Sequence, residues 1–117
     1  MTLRLYYHPL SSFCWKALMA LYENATPFAY RTLADDSGRT MGELELLWPF
    51  RRFPVLVDGG RMVVESSIIV EYLQIHHPGP VKWIPDDAAV ALEVRFMDRF
   101  FDQYVMTPMQ RFIAQQL

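Results

Sequence analysis

Phe53-Pro54-Val55-Leu56-Val57 and, eight residues further on, Glu65-Ser66-Ser67-Ile68-Ile69 are the two stretches on which the fold turns. In the first, an X-Pro bond leads into a β-branched run. Proline cannot donate to a sheet ladder, so Pro54 belongs at the first residue of a strand or on an edge. In the second, an acid and hydroxyls precede an apolar run, so Ser66 or Ser67 caps a helix that reaches about His76. Between the stretches, Asp58-Gly59-Gly60 is a tight turn and Arg61-Met62-Val63-Val64 its hairpin return. Glu65 and Ser66 together offer a negative and a neutral polar group at a helix start, which suits a ligand carrying both an amine and a carboxylate.

Upstream, Leu3-Arg4-Leu5-Tyr6-Tyr7 reads as a first strand, ended by His8-Pro9-Leu10. Ser11-Ser12 can cap a helix from Phe13 to Asn24, in which Cys14, Ala17, Leu18 and Leu21 recur at helical spacing. Pro27 to Leu33 alternates as a second strand, and Met41 to Leu47 reads as a short helix stopped by Pro49. The order is β-α-β-α-β-β-α: a parallel pair from the first βαβ unit, then an antiparallel hairpin, hence a mixed sheet. Downstream, His77-Pro78-Gly79-Pro80 is a stiff linker. Pro85-Asp86-Asp87 then opens one long helical stretch to Leu117, with a kink expected at Pro108. Its apolar residues, among them Leu92, Phe96, Phe100, Phe101, Tyr104, Val105 and Met109, occupy more than one face, so it should pack against other helices.

At 117 residues the chain is long enough for one compact domain, and with 52% hydrophobic residues it can bury a core. Eleven basic against 13 acidic residues leave a net charge of −2, which argues against nucleic acid as a partner. The single cysteine, Cys14, excludes an internal disulfide and fits a reducing compartment. No apolar run of ~18 residues suggests a membrane span, and the first residues lack a secretory pattern, so a cytoplasmic protein is expected. The histidines His8, His76 and His77 show no metal-ligand spacing with Cys14 and read as surface residues, so no metal is expected.

This element order, with Ser11-Ser12-Phe13-Cys14-Trp15-Lys16 at the first helix start, Phe53-Pro54-Val55-Leu56, and Glu65 to Leu73, resembles the cytosolic glutathione transferases, closest to the serine-type zeta and theta classes. The resemblance implies an α/β fold: residues 1–78 a thioredoxin-like glutathione-binding domain with a mixed four-stranded sheet and flanking helices, 79–85 a linker, and 86–117 the first long helix of an all-helical C-terminal domain. The family's remaining helices, which supply much of the second substrate's pocket, lie outside these residues.

The resemblance also implies roles. Ser11, three residues before Cys14, would donate a hydrogen bond to the glutathione sulfur, with Ser12 in reserve because the register is open by one residue. A cysteine-type thiol titrates near ~8.5. Lowering that by ~2 units needs roughly 2.7 kcal/mol, about what one hydroxyl bond to a charged sulfur supplies (~1.5–3 kcal/mol). Phe13 joins the binding residues at the same helix start. Pro54 would be cis, preceded by Phe53, and Val55 would pair its backbone with the cysteinyl part of glutathione as a strand added at a sheet edge. Glu65 would pair with the α-amine and Ser66 hold the α-carboxylate, while Arg52 stands near the glycyl carboxylate.

For Cys14, a buried small residue is favoured over a redox thiol. Phe100, Phe101 and Tyr104 either line an apolar substrate pocket or pack in a helical core, the second favoured for at least two of them. Asp98 and Asp102 share a helix face and read as an exposed acidic surface. The function expected is a glutathione transferase that activates the glutathione thiol, as co-substrate, for attack on a small hydrophobic electrophile, in a homodimer. The alternatives are a glutathione-dependent isomerase, a reductase using Cys14, or a non-catalytic module for protein association.

Overall fold

The computed structural model describes residues 2–116. Strand β1 (Leu3–Tyr7) is followed by helix α1 (Ser12–Glu23) and strand β2 (Phe28–Thr32). Helix α2 (Arg39–Leu47) precedes the hairpin of β3 (Val55–Asp58) and β4 (Arg61–Val64), and α3 (Ser66–His76) closes the unit. The sheet order is β2-β1-β3-β4, with β1 and β2 parallel and the other two pairings antiparallel. This is the thioredoxin-like arrangement.

Both faces of the sheet are covered, and strand alternation sorts the side chains between them. Leu3, Leu5 and Leu56 pack with Ala17, Leu18 and Leu21 of α1 and Ile69 and Leu73 of α3. The alternate positions, Tyr6, Val55 and Val57, pack on the opposite face with Leu44 of α2 and with Leu33, just after β2. Each fully buried leucine contributes about 1.5–3 kcal/mol of transfer free energy. The Tyr6 hydroxyl donates to Glu43 (2.9 Å), which also pairs with Arg31, so α2 is tied to β1 and β2. Arg31 and then Tyr6 hold the Glu43 carboxyl below the usual carboxylate range.

Two side-chain amides lay down the segment after α3. Asn24, at the end of α1, donates to the Val81 carbonyl (3.0 Å) and accepts from its N–H (2.7 Å). Gln74 does the same for Ile84, at 2.9 Å in both directions. A Cβ at Gly79 would sit 2.5 Å from Asn24 Cγ, so the close approach there requires glycine. His77 is not a free surface histidine: its Nε2 lies 2.9 Å from Asp58, which also accepts from the Tyr72 hydroxyl (2.5 Å). The end of α3 is thereby clasped to the β3–β4 turn.

Helix α4 (Ala88–Phe100) starts at Asp87, whose carboxylate accepts from the Ala89 and Val90 N–H groups. It runs through a π-helical turn at Phe101–Met106 into α5 (Thr107–Gln116). The kink expected at Pro108 takes the form of this wide turn just ahead of it. Proline has no N–H to give and its ring crowds the carbonyl four residues back. The wider turn accommodates this, and the Thr107 hydroxyl donates to the Asp102 carbonyl at 2.7 Å. No helix among the described residues is long and apolar enough to cross a membrane.

Candidate functional site

A cleft of about 780 Å³ opens where the start of α1, the approach to β3, the start of α3 and one face of the α4–α5 helix meet. Ser11, Phe13, Arg52, Phe53, Pro54, Glu65 and Ser66 all line it, although they come from three separate parts of the chain. The sheet makes this possible. Strands β1 and β3 are antiparallel neighbours, so the segments at their ends, Ser11 after β1 and Phe53-Pro54 before β3, meet at one end of the sheet.

Ser11 is the N-cap of α1, nearly buried, and its Oγ accepts from the Cys14 N–H at 3.3 Å. That bond uses a lone pair and leaves the hydroxyl proton free to be donated into the cleft. Ser12 faces the other way: it lines a second, apolar groove of about 730 Å³ between α1, α3 and α4. Its N–H is taken by the Gln110 side chain, and its buried Oγ has no hydrogen-bond partner among the described residues.

The Phe53–Pro54 peptide bond is cis. Phe53 precedes β3 and lies outside the ladder, its ring stacked at 6.1 Å on His8. Val55 does not stand at a sheet edge. Strand β3 is an interior strand, Val55 is in register with both Tyr6 and Val64, its side chain is fully buried, and it is absent from the cleft lining. The backbone outside the ladder is that of Phe53 and Pro54.

Glu65, rather than Ser66 or Ser67, is the N-cap of α3, and its side chain makes no capping bond. Its carboxylate is exposed, while Ser66 is 6% exposed beside it. Glu65 has φ +72° and ψ 125°, a backbone conformation that a side chain disfavours by about 1–3 kcal/mol. Arg51 is likewise left-handed (φ +59°) and pairs with Glu45 at 3.1 Å. Neither conformation carries a sequence signal, since glycine or asparagine would be the residue expected there.

Asp98 and Asp102 do not form an exposed acidic face. Lys16 of α1 reaches across to pair with Asp98 and, at 2.9 Å, with Asp102. Ser67 of α3 receives the Lys16 ammonium at 2.8 Å and donates to Asp98. The lysine and both carboxylates are each less than a quarter exposed. This cluster, with the Gln110 bond to Ser12 and an Arg95–Glu71 pair at 2.8 Å, fixes the α4–α5 helix beside the cleft. Phe100, Phe101 and Tyr104 neither line the cleft nor are buried; they stack on one another at the surface.

Cys14 is fully buried, and burial pushes its thiol up despite hydrogen bonds from Ser11 and His8 that act the other way. A protonated, inaccessible thiol is a poor nucleophile. Among the described residues no group of three or more His, Cys, Asp or Glu is placed to hold a metal.

Residues 5–81 match the family model of the glutathione S-transferase N-terminal domain. A probable maleylacetoacetate isomerase from Caenorhabditis elegans is 31% identical over 83 residues, covering 71% of this chain and 38% of that protein. The mouse glutathione S-transferase theta-1 is 31% identical over 88 residues, covering 74% of this chain and 37% of that protein. Among solved structures, a glutathione transferase homologue from Burkholderia with bound glutathione superposes with a TM-score of 0.70 at 26% identity, covering 88% of this chain and 54% of that one. The chain thus spans a little over a third of the length of the curated relatives it matches.

Proposed function

The chain belongs to the glutathione S-transferase family through its N-terminal domain, and from that premise we propose that it binds glutathione in the 780 Å³ cleft and activates its thiol for attack on a small electrophile. The observation that carries this reading is the convergence of Ser11, Arg52, Phe53, Pro54, Glu65 and Ser66 on that one cleft. Glu65 takes the α-ammonium. Ser66 and the N-terminus of α3 take the α-carboxylate. The backbone of Phe53 pairs with the cysteinyl unit, and Arg52 meets the glycyl carboxylate.

In this arrangement the thiol loses its proton to solvent, and Ser11 donates a hydrogen bond to the thiolate left behind. The helix N-terminus adds to that stabilisation. Sulfur then forms a bond to the electrophilic carbon. In a substitution the leaving group departs with its bonding pair; in an addition the adjacent carbon takes a proton from solvent. The buried, protonated state of Cys14 argues against the reductase reading.

Residues 1–78 are the glutathione-binding unit in this reading and 86–117 the beginning of a helical one. The exposed apolar residues of α4, Leu92 and Phe96 among them, support association as a homodimer. A cytoplasmic location follows from the same reading.

Titration calorimetry of the chain with glutathione tests the site. Binding is expected to weaken about tenfold or more in Glu65→Ala, which removes the ammonium's partner. In Ser11→Ala binding should largely persist while the bound thiol titrates higher. A folded chain that gives no heat with glutathione refutes the proposal.

A further inference from the structure

One wall of the cleft comes from the π-helical turn and α5: Gln103, Thr107, Gln110, Arg111 and Ala114. Their spacing keeps them on one side, and the Gln110 bond to Ser12 holds that side against the start of α1, next to Ser11. This wall is polar. Phe100, Phe101 and Tyr104 take no part in it.

The charges on the cleft do not balance for glutathione alone. Asp102 is neutralised by Lys16, Arg51 is paired with Glu45, and Arg99 approaches Asp98 at 3.4 Å. Glu65, Arg52 and Arg111 line the cleft with no ion pair among the described residues. On the reading proposed above, glutathione brings one ammonium for Glu65 and two carboxylates, one for Ser66 with the helix N-terminus and one for Arg52. Arg111 is left over. It lies on the helix wall that Gln110 holds against the start of α1.

We infer that Arg111 binds a carboxylate on the second substrate, so that the electrophile taken by this site is an acidic one. The inference rests on glutathione occupying the cleft. Its physical logic is that an anionic electrophile is repelled by the thiolate it must approach, and a guanidinium on the facing wall offsets that repulsion. The planar fork of arginine suits a carboxylate through two parallel hydrogen bonds.

The test uses two stable conjugates that differ only in charge, S-(4-carboxy-2-nitrophenyl)glutathione and S-(4-carbamoyl-2-nitrophenyl)glutathione. Each is titrated by calorimetry into the 117-residue chain and into Arg111→Gln and Arg111→Lys, with glutathione titrated alongside. The carboxylate conjugate is expected to bind about tenfold more tightly than the carboxamide. That ratio should fall to near one in Arg111→Gln and survive in part in Arg111→Lys, with glutathione affinity and the bound thiol's titration unchanged. Equal affinity for the two conjugates in the unaltered chain overturns the inference and leaves glutathione binding standing. So does an Arg111→Gln effect equal on both conjugates, or one that weakens glutathione or shifts its thiol, since Arg111 would then serve glutathione itself. Absence of glutathione binding overturns both readings together.

Discussion

Residues 3–77 and 88–116 are built on opposite terms. In the first region apolar side chains go inward on both faces of a sheet, and every buried apolar residue of the described chain except Ala91 lies there. In the second the large apolar side chains stay outside: Leu92 is 69% exposed, Phe96 63%, Tyr104 69% and Phe112 64%. The helical region is held to the sheet region by polar groups instead, through Lys16 with Asp98 and Asp102, Arg95 with Glu71, and Gln110 with Ser12. The comparison teaches that a helix can be positioned accurately without being stabilised by its own core. Here the polar face makes a cleft wall, and the apolar face is left for another surface to cover.

The sharpest way to break this contrast is a pair of truncations read by urea unfolding. Leu56→Ala, at a fully buried position, should cost about 2–5 kcal/mol at any protein concentration. Phe96→Ala should cost less than about 0.5 kcal/mol when the chain is dilute, with a loss that grows with concentration if a second copy covers that face. A large, concentration-independent loss from Phe96→Ala would mean that α4 belongs to the same core after all.

A smaller effect is expected from Lys16→Met. It leaves two partly buried carboxylates with only the half-exposed Arg99, 3.4 Å from Asp98, as a nearby cation, at a cost of about 1–3 kcal/mol, below the range for fully buried pairs. Hydrogen exchange should speed up across 88–116 while β1 and β3 keep their protection. Uniform loss of protection in both regions would show that the polar tie supports the sheet as well as the helix.

A change of opposite sign is expected on the cleft itself. Glu65→Gly relieves the positive φ at the start of α3 and should raise stability by roughly 1 kcal/mol, while glutathione binding weakens about as much as in Glu65→Ala. A variant that binds glutathione more weakly and gains no stability would show that the backbone at Glu65 is not strained.

Much of the sheet region was legible because its signals are local. Strand alternation in Leu3 to Tyr7, the helical spacing of Cys14, Ala17, Leu18 and Leu21, the cap at Ser11 and the turn at Gly59 all act within a few residues. The site residues were legible as types at fixed spacings. Several readings failed for lack of long-range information, two of them close to the site. Val55 was expected at a sheet edge, but pairing of β3 with both β1 and β4 makes it interior. Asp98 and Asp102 were expected in solvent, but their partner Lys16 lies more than 80 residues away in sequence.

By itself, then, the sequence determined the element order, the mixed sheet and the residue types offered to a ligand with an amine and carboxylates. Periodicity, capping and turn chemistry are properties of neighbouring residues, and they need no partner to be read. Only the tertiary structure decided which strand is interior, which serine faces the cleft, and which side of the last helix forms its wall. Those depend on ion pairs and amide hydrogen bonds between distant segments. A stripe of Gln, Thr and Arg carries no sign of what it will face until Lys16, Ser67 and the N–H of Ser12 have fixed the helix in place.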